Sequence, residues 1–271
     1  MKLNLFDSHV HTDNSYDGVH SIAYLCERAV AAGVMGIAVT DHYNCDVADR
    51  YHMDVRLRQS VFDVERARLA FGDSLYIAMG VELGQGHLYP GQSREVLAGA
   101  PFDFVLGTVH CDDSGRRIEE IDFDSPQVVV SRVMEGYFRV CLEMCRWGQF
   151  DSLAHLGYPQ RIIWGRYRIP VDLAAYREMI EEVLRELIRQ GKALELNTGG
   201  LRMGLGRTIP GPEVFRWYKD LGGELVTLGS DAHRAESLAY EFDTAMDLLT
   251  ALGYEYFAFF KERRPVMLRL I

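Results

Sequence analysis

The stretch Leu3-Asn4-Leu5-Phe6-Asp7-Ser8-His9-Val10-His11 decides how the rest of the chain is read. It begins as a short apolar run and ends in polar, ligand-type side chains, where a nucleotide-binding open sheet would carry a GxGxxG turn. Six further runs follow the pattern of Leu3–His9: Gly36–Thr40, Leu75–Val81, Phe102–Val109, Ser152–His155, Ala193–Asn197 and Glu224–Gly229. Each is short and almost continuously apolar, as strands buried on both faces must be. Between them lie amphipathic stretches that predict helices over His20–Ala32, Arg56–Phe71, Pro126–Trp147, Leu173–Gln190, Glu213–Leu221 and Asp243–Leu252. Several of these stop at a glycine, the usual C-terminal punctuation. The alternation favours a parallel sheet, either open and doubly wound or closed as a (β/α) barrel. The ending of the first run favours the barrel. Tyr254–Phe260 reads as a further strand, and Pro265–Ile271 as an edge strand or packing arm.

The chain has 271 residues and no Pro/Gly/Ser-rich linker or charge block, so one barrel domain over residues 1–271 is expected. Twenty-nine basic residues against 39 acidic ones give a net charge of -10. Such a chain is repelled by long nucleic acid and anionic lipid, so neither is an expected partner. No run approaches the roughly 18 apolar residues of a membrane span, and the start does not read as a secretory signal. The five cysteines, with no CxxC pair, read as free thiols of a cytoplasmic protein.

Position is the strongest signal. The strand runs end at His9 and His11, His42, Glu82, His110, His155, Asn197, and Asp231 with His233. In a parallel barrel these ends share one rim, where active sites are built. Six of the nine histidines would then converge. Gathering so many imidazoles and carboxylates without compensation is costly, and a multivalent cation removes the cost. The rim offers His9, His11, Asp17, His42, Glu82, His110, His155, Asp231 and His233. One zinc takes about four protein ligands, so this set suits two or three divalent ions, and the mixed donors suit Mn, Zn or Fe. Of the other histidines, His20 is expected to cap a helix, and His52 and His87 to lie in loops.

Asp7-Ser8-His9-Val10-His11-Thr12, Thr40-Asp41-His42, Gly80-Val81-Glu82, Gly107-Thr108-Val109-His110, Ala154-His155 and Gly229-Ser230-Asp231-Ala232-His233 together resemble the polymerase and histidinol phosphatase (PHP) superfamily, in its order and over nearly the whole chain. The resemblance implies an α/β fold, a distorted seven-stranded (β/α) barrel of TIM-like, PHP type. It also implies a trinuclear metal site on the C-terminal rim. One metal would take His9, His11, Glu82 and Asp231; a second would share Glu82 and take His110 and His155; the third would take Asp17, His42 and His233. Asp7 and Asp41 would hold imidazole N–H groups. Glu195-Leu196-Asn197-Thr198-Gly199-Gly200-Leu201-Arg202 and His155-Leu156-Gly157-Tyr158-Pro159-Gln160-Arg161 are similar to segments of histidinol-phosphate phosphatases, which implies phosphate clamps at Arg202 and Arg161.

The activity so implied is that of a metal-dependent phosphomonoesterase of histidine biosynthesis, hydrolysing L-histidinol phosphate to L-histidinol and phosphate. A metal-bridging hydroxide would attack phosphorus, with Glu82, Asp231 and His233 as catalytic groups and Asp231 or a metal-bound water protonating the leaving alcohol. The acidic stretch Glu119-Glu120-Ile121-Asp122 could supply a partner for the substrate's amine or imidazole. Competing readings are a nucleotide or oligonucleotide phosphoesterase of the same superfamily, a phosphotyrosine-protein phosphatase, and a non-catalytic barrel. No nucleophilic Ser or Cys motif points to a covalent phosphoenzyme.

Overall fold

The computed structural model describes residues 5–270, so the predicted first-strand residues Leu3 and Asn4, and Ile271 of the tail, lie outside the described residues. Seven parallel strands pair in chain order: β1 (Phe6–Val10), β2 (Gly36–Val39), β4 (Tyr76–Gly84), β5 (Phe104–Thr108), β6 (Ser152–Leu153), β7 (Ala193–Asn197) and β8 (Val226–Gly229). A short β3 (His42–Asn44) lies outside this path and pairs with the upper half of β4. The two ends of the run are brought together by one parallel bridge between Val10 and Ala232, just past β8. There the His11 N–H donates to the Ala232 carbonyl at 2.8 Å, and the Ala232 N–H to that of His9 at 3.2 Å. Among the described residues no ladder joins β1 to β8, so the TIM-like sheet is linked across its ends by this bridge alone.

The helices are α1 (Ile22–Ala31), α2 (Met53–Phe71), α3 (Pro90–Ala98), α4 (Val130–Trp147), α5 (Tyr158–Ile162), α6 (Arg177–Gln190), α7 (Gly199–Arg202), α8 (Pro212–Asp220) and α9 (Phe242–Ala251). In α6, Ile180, Val183, Leu184 and Leu187 are buried at helical spacing. Glu181 pairs with Arg177 and Arg185 on the solvent side. The helix ends at Gly191, whose φ of 64° is a left-handed conformation that favours glycine. Helix α1 is capped by Ser21, whose hydroxyl accepts from the Tyr24 N–H, and not by His20. The His20 Nδ1 instead accepts from the Ala235 N–H.

Four elements escaped the sequence reading: β3, α3 and the short helices α5 and α7. Strand β3 is three residues long and exists through its pairing with β4, not through a pattern of its own. Helix α3 buries only Ser93 and Val96, so it shows no apolar stripe.

The chain ends in a hairpin of β9 (Tyr256–Lys261) and β10 (Arg264–Arg269), with β9 running beside β8. Its aromatic residues pack under the barrel. Phe259 stacks on Phe6 at 4.4 Å between ring centroids, and Phe260 on Phe104 at 5.2 Å. The hairpin turn is tied to the N-terminal ends of β5 and β6. The Glu262 and Arg263 N–H groups donate to Asp103, and the Arg263 guanidinium to Asp151. The hairpin therefore lies at the end of the barrel opposite the metal-ligand rim. Phe260→Ala should cost about 3–5 kcal/mol of unfolding free energy, as truncated buried aromatics do, measured by urea denaturation.

Candidate metal centre

The nine predicted ligands are brought into one connected cluster, and Glu82 stands at its middle. Strand register explains the first contact: His42 in β3 is the direct partner of Glu82 in β4. Around Glu82 Oε2 lie His42 Nδ1 at 2.5 Å and the Nε2 atoms of His9 and His11, each at 3.5 Å. Around Oε1 lie His155 Nε2 at 3.1 Å and His110 Nε2 at 3.7 Å. Asp231 Oδ1 faces His9, His11 and His233 at 3.6, 3.5 and 3.4 Å. Asp17 reaches His42 at 3.5 Å and His233 at 3.4 Å. Three triplets of ligand atoms each fall within 4.8 Å: His9, His11 and Asp231; His9, Glu82 and His155; His11, His42 and His233.

The donor set fits divalent cations on an observation independent of spacing. His9 Nε2, His11 Nε2 and His155 Nδ1 are buried with no hydrogen-bond partner, and Glu82 Oε2 meets only the imidazoles around it. Orphaned groups of this kind cost roughly 1–3 kcal/mol each. His42 and His233 even present Nε2 to Nε2 at 3.4 Å. A cation between such atoms satisfies them together. Backbone strain marks the same place: Asp231 and His155 take positive φ of 54° and 26°.

The cluster polarises its own members. Burial opposes charge on the Glu82 and Asp231 carboxyls, but the surrounding imidazoles, with Arg161 beside Asp231, hold both well below the usual range. Burial also opposes charge on His42, yet Glu82 and Asp17 push it up to about 10. His11 and His110 are held well below the usual range, by burial first and by neighbouring imidazoles.

The cluster opens into a cavity of about 200 Å³ walled by His42, His110, His155, Asp231 and His233, with Tyr16, Arg117, Glu119, Tyr158 and Arg161 further round. Arg161 donates to Asp231 Oδ2 at 2.8 Å and lies over the Tyr158 ring at 4.8 Å. Arg202 is placed differently: two of its nitrogens donate to the backbone carbonyls of Ser230 and Asp231.

Residues 7–199 match the model of the PHP domain. The chain belongs to the PHP domain family. Among curated proteins it is similar to the "Probable histidinol-phosphatase" of Thermotoga maritima, 28% identical over 94% of this chain and 95% of that one. It is likewise similar to the "Histidinol-phosphatase" of Lactococcus lactis subsp. lactis, 28% identical over 94% and 93%. A crystal structure of the Lactococcus lactis histidinol phosphate phosphatase, complexed with zinc, L-histidinol and phosphate, shares the fold. It aligns with a TM-score of 0.82 at 23% identity, covering 98% of this chain and 100% of that one.

In this PHP centre the supporting groups differ from the expectation. Asp7 is spent on Ser230, through its N–H and hydroxyl, and on the Ala239 N–H; its contact with His9 is to the backbone N–H. Asp41 accepts from Thr12, Ser15 and Ser60, and reaches an imidazole only through Ser15, whose hydroxyl lies 3.0 Å from His11 Nδ1. The carboxylate that directly meets a ligand's outer nitrogen is Glu195, 2.6 Å from His9 Nδ1. Its second oxygen accepts from the His155 N–H at 2.7 Å. Asn44 Oδ1 does the same for His110 Nδ1 at 3.0 Å. Glu195 was visible as a charged residue inside an apolar strand, which is the signal that could have found it. Asn44 carried no signal.

Two outcomes follow. Glu195→Gln should weaken metal affinity about 10–100-fold, as loss of groups behind a ligand does, in a chelator competition assay. The His42 proton, held up to a pKa of about 10, must leave when a cation takes that nitrogen. Metal binding at neutral pH should therefore release protons, and affinity should rise with pH, read by calorimetry in buffers of different ionisation enthalpy.

Proposed function

We propose that this chain is a divalent-metal-dependent phosphomonoesterase that hydrolyses L-histidinol phosphate to L-histidinol and phosphate. The observation that carries the reading is the buried Glu82 ringed by five imidazoles, of which His9 and His11 present unpartnered nitrogens, opening beside Arg161 into a cavity of small-molecule size. The relatives that match along almost their whole length carry the histidinol-phosphatase name, and the Lactococcus lactis enzyme is described with zinc, L-histidinol and phosphate. The reading includes two or three ions of Mn, Zn or Fe, one functional domain over residues 1–271, and a cytoplasmic setting. No described helix is long and apolar enough to cross a membrane.

His9, His11, Asp17, His42, Glu82, His110, His155, Asp231 and His233 would hold the ions, with the Glu82 oxygens facing two separate groups of imidazoles. Bound there, divalent ions supply Lewis acidity that activates water and neutralises phosphoryl charge. The protein's own groups then divide the work. The imidazoles and Arg161 hold the Asp231 carboxyl well below its usual range, so it would help hold an ion and is a poor source of a proton for the leaving alcohol. Arg161, buried against Asp231 and Tyr158, directs a fixed positive charge to the phosphoryl oxygens. Arg202 stands behind it and holds the Ser230 and Asp231 carbonyls, so we assign it to positioning Asp231.

The test is phosphate release by Mn- or Zn-loaded protein from L-histidinol phosphate, AMP, a 3′,5′-bisphosphate nucleotide and a phosphotyrosine peptide. Histidinol phosphate should be cleaved with the highest kcat/KM; no release from it alongside efficient cleavage of another ester would sink the assignment. Arg161→Ala should lower kcat by about 10²–10³. Arg161→Lys should restore little, because a point charge does not replace the planar fork.

A further inference from the structure

Helix α2 has an apolar outer face that no described residue covers. Its inner side buries Met53, Leu57, Ser60, Val64 and Ala67. On the side away from the barrel stand Val55, Phe62 and Leu69, which are 60%, 52% and 87% exposed. Residues seven apart fall about 20° short of two full turns, so these three form one line along the helix, about 10 Å from one to the next. Apolar residues scattered singly over a surface are ordinary. A line of three opposite the buried stripe is the pattern of a helix that packs on both sides.

The charges beside this line are arranged for a second copy of the same helix. The chain carries a net charge of -10, which opposes self-association, yet α2 holds four arginines against three acids. Arg58 and Glu65 flank the line on one side, Arg58 lying before Phe62 and Glu65 after it. Among the described residues neither side chain finds an ion pair or a hydrogen bond. An antiparallel copy of α2 related by a twofold axis at Phe62 brings each flank against the same flank of its partner. Arg58 then falls opposite the second copy's Glu65, and Glu65 opposite its Arg58, to within one residue's rise of about 1.5 Å. Val55 meets Leu69, and Phe62 meets itself. On the other flank Arg66, which lies over the Phe62 ring at 5.8 Å, falls opposite Gln59, so no like charges meet along the line. A groove of about 580 Å³ between α2 and α3 adjoins the Arg58 flank, and its walls of Leu57, Val61, Val96, Ala100 and Phe102 add apolar area to the footprint.

We propose that the outer face of α2 is a docking surface for a second copy of this chain, the two helices lying antiparallel about Phe62 in a twofold dimer. The apolar line supplies the association energy, and the reciprocal Arg58–Glu65 pairs fix its direction and register. The footprint is small, so the dimer dissociates in the micromolar range. The surface is separate from the metal centre, and the proposal does not rest on the substrate assignment.

The experiment is sedimentation equilibrium on the full chain, with circular dichroism to confirm that each variant is folded. Wild type should be mostly dimeric at about 100 µM; a wild type that stays monomeric there overturns the proposal. Phe62→Glu, which sets two carboxylates against each other at the axis, should raise the dimer Kd about a hundredfold. Arg58→Glu should raise it about tenfold or more, because that carboxylate then faces Glu65 on both sides of the axis. The exchange Arg58→Glu with Glu65→Arg should return Kd to near the wild-type value. Arg58 has an exposed side chain with no partner to lose, so its variants decide the matter even where Phe62→Glu does not fold. A dimer that Arg58→Glu leaves intact, or an exchange that restores nothing, overturns the proposal.

Discussion

The rim of this barrel is organised around one buried carboxylate. Glu82 has no exposure to solvent, and five imidazoles surround it, three on one oxygen and two on the other. A carboxylate in that position is tolerable only if its charge is matched, and the histidines match it in part. The imidazoles, however, are pushed in opposite directions, some holding protons and some refusing them. Such a cluster is electrostatically incomplete by itself, and cations resolve it. The geometry of the ligand sets follows from where β4 places Glu82 relative to β3 and β5.

Keeping the cluster in place costs the backbone something. Asp231 and His155, both facing the cavity, sit at positive φ, which for residues other than glycine costs on the order of 1–3 kcal/mol each. Each is braced. Arg202 holds the carbonyls at Asp231, and Glu195 holds the His155 N–H while also meeting His9. The bracing groups come from β7 and the short helix that follows it, so one segment, Glu195 to Arg202, stabilises ligands on three other strand ends. At the opposite end of the barrel, the aromatic hairpin packs under the strands and is tied to Asp103 and Asp151 through its turn residues Glu262 and Arg263, which take positive φ themselves but hold no ligand. Stability and chemistry are thus separated along the barrel axis, the usual division in folds of this kind.

Much of this was legible in the sequence. Continuous apolar runs located all seven barrel strands, and the polar residues at their ends named eight of the nine members of the cluster; the ninth, Asp17, lies in the loop after β1. The C-terminal strand was visible in Tyr254–Phe260. What failed had physical causes. His20 did not cap α1, because Ser21 is one residue closer to the first turn and carries the acceptor oxygen. Asp7 and Asp41 were assigned to imidazoles because they adjoin histidines in the chain, yet they serve backbone N–H and hydroxyl groups.

By itself, then, the sequence determined which residue types stand at the strand ends, since strand periodicity is local and a parallel barrel puts every such end on one rim. Only the tertiary structure decided who partners whom. The contact of His9 with Glu195 spans 186 residues and that of Arg161 with Asp231 spans 70. Whether Glu119 or Glu120 faces the cavity depends on how a short loop is held by Arg117 and Arg166. Chain neighbours share no necessary direction once a strand has ended, so side-chain roles beyond the rim are set by packing and not by spacing.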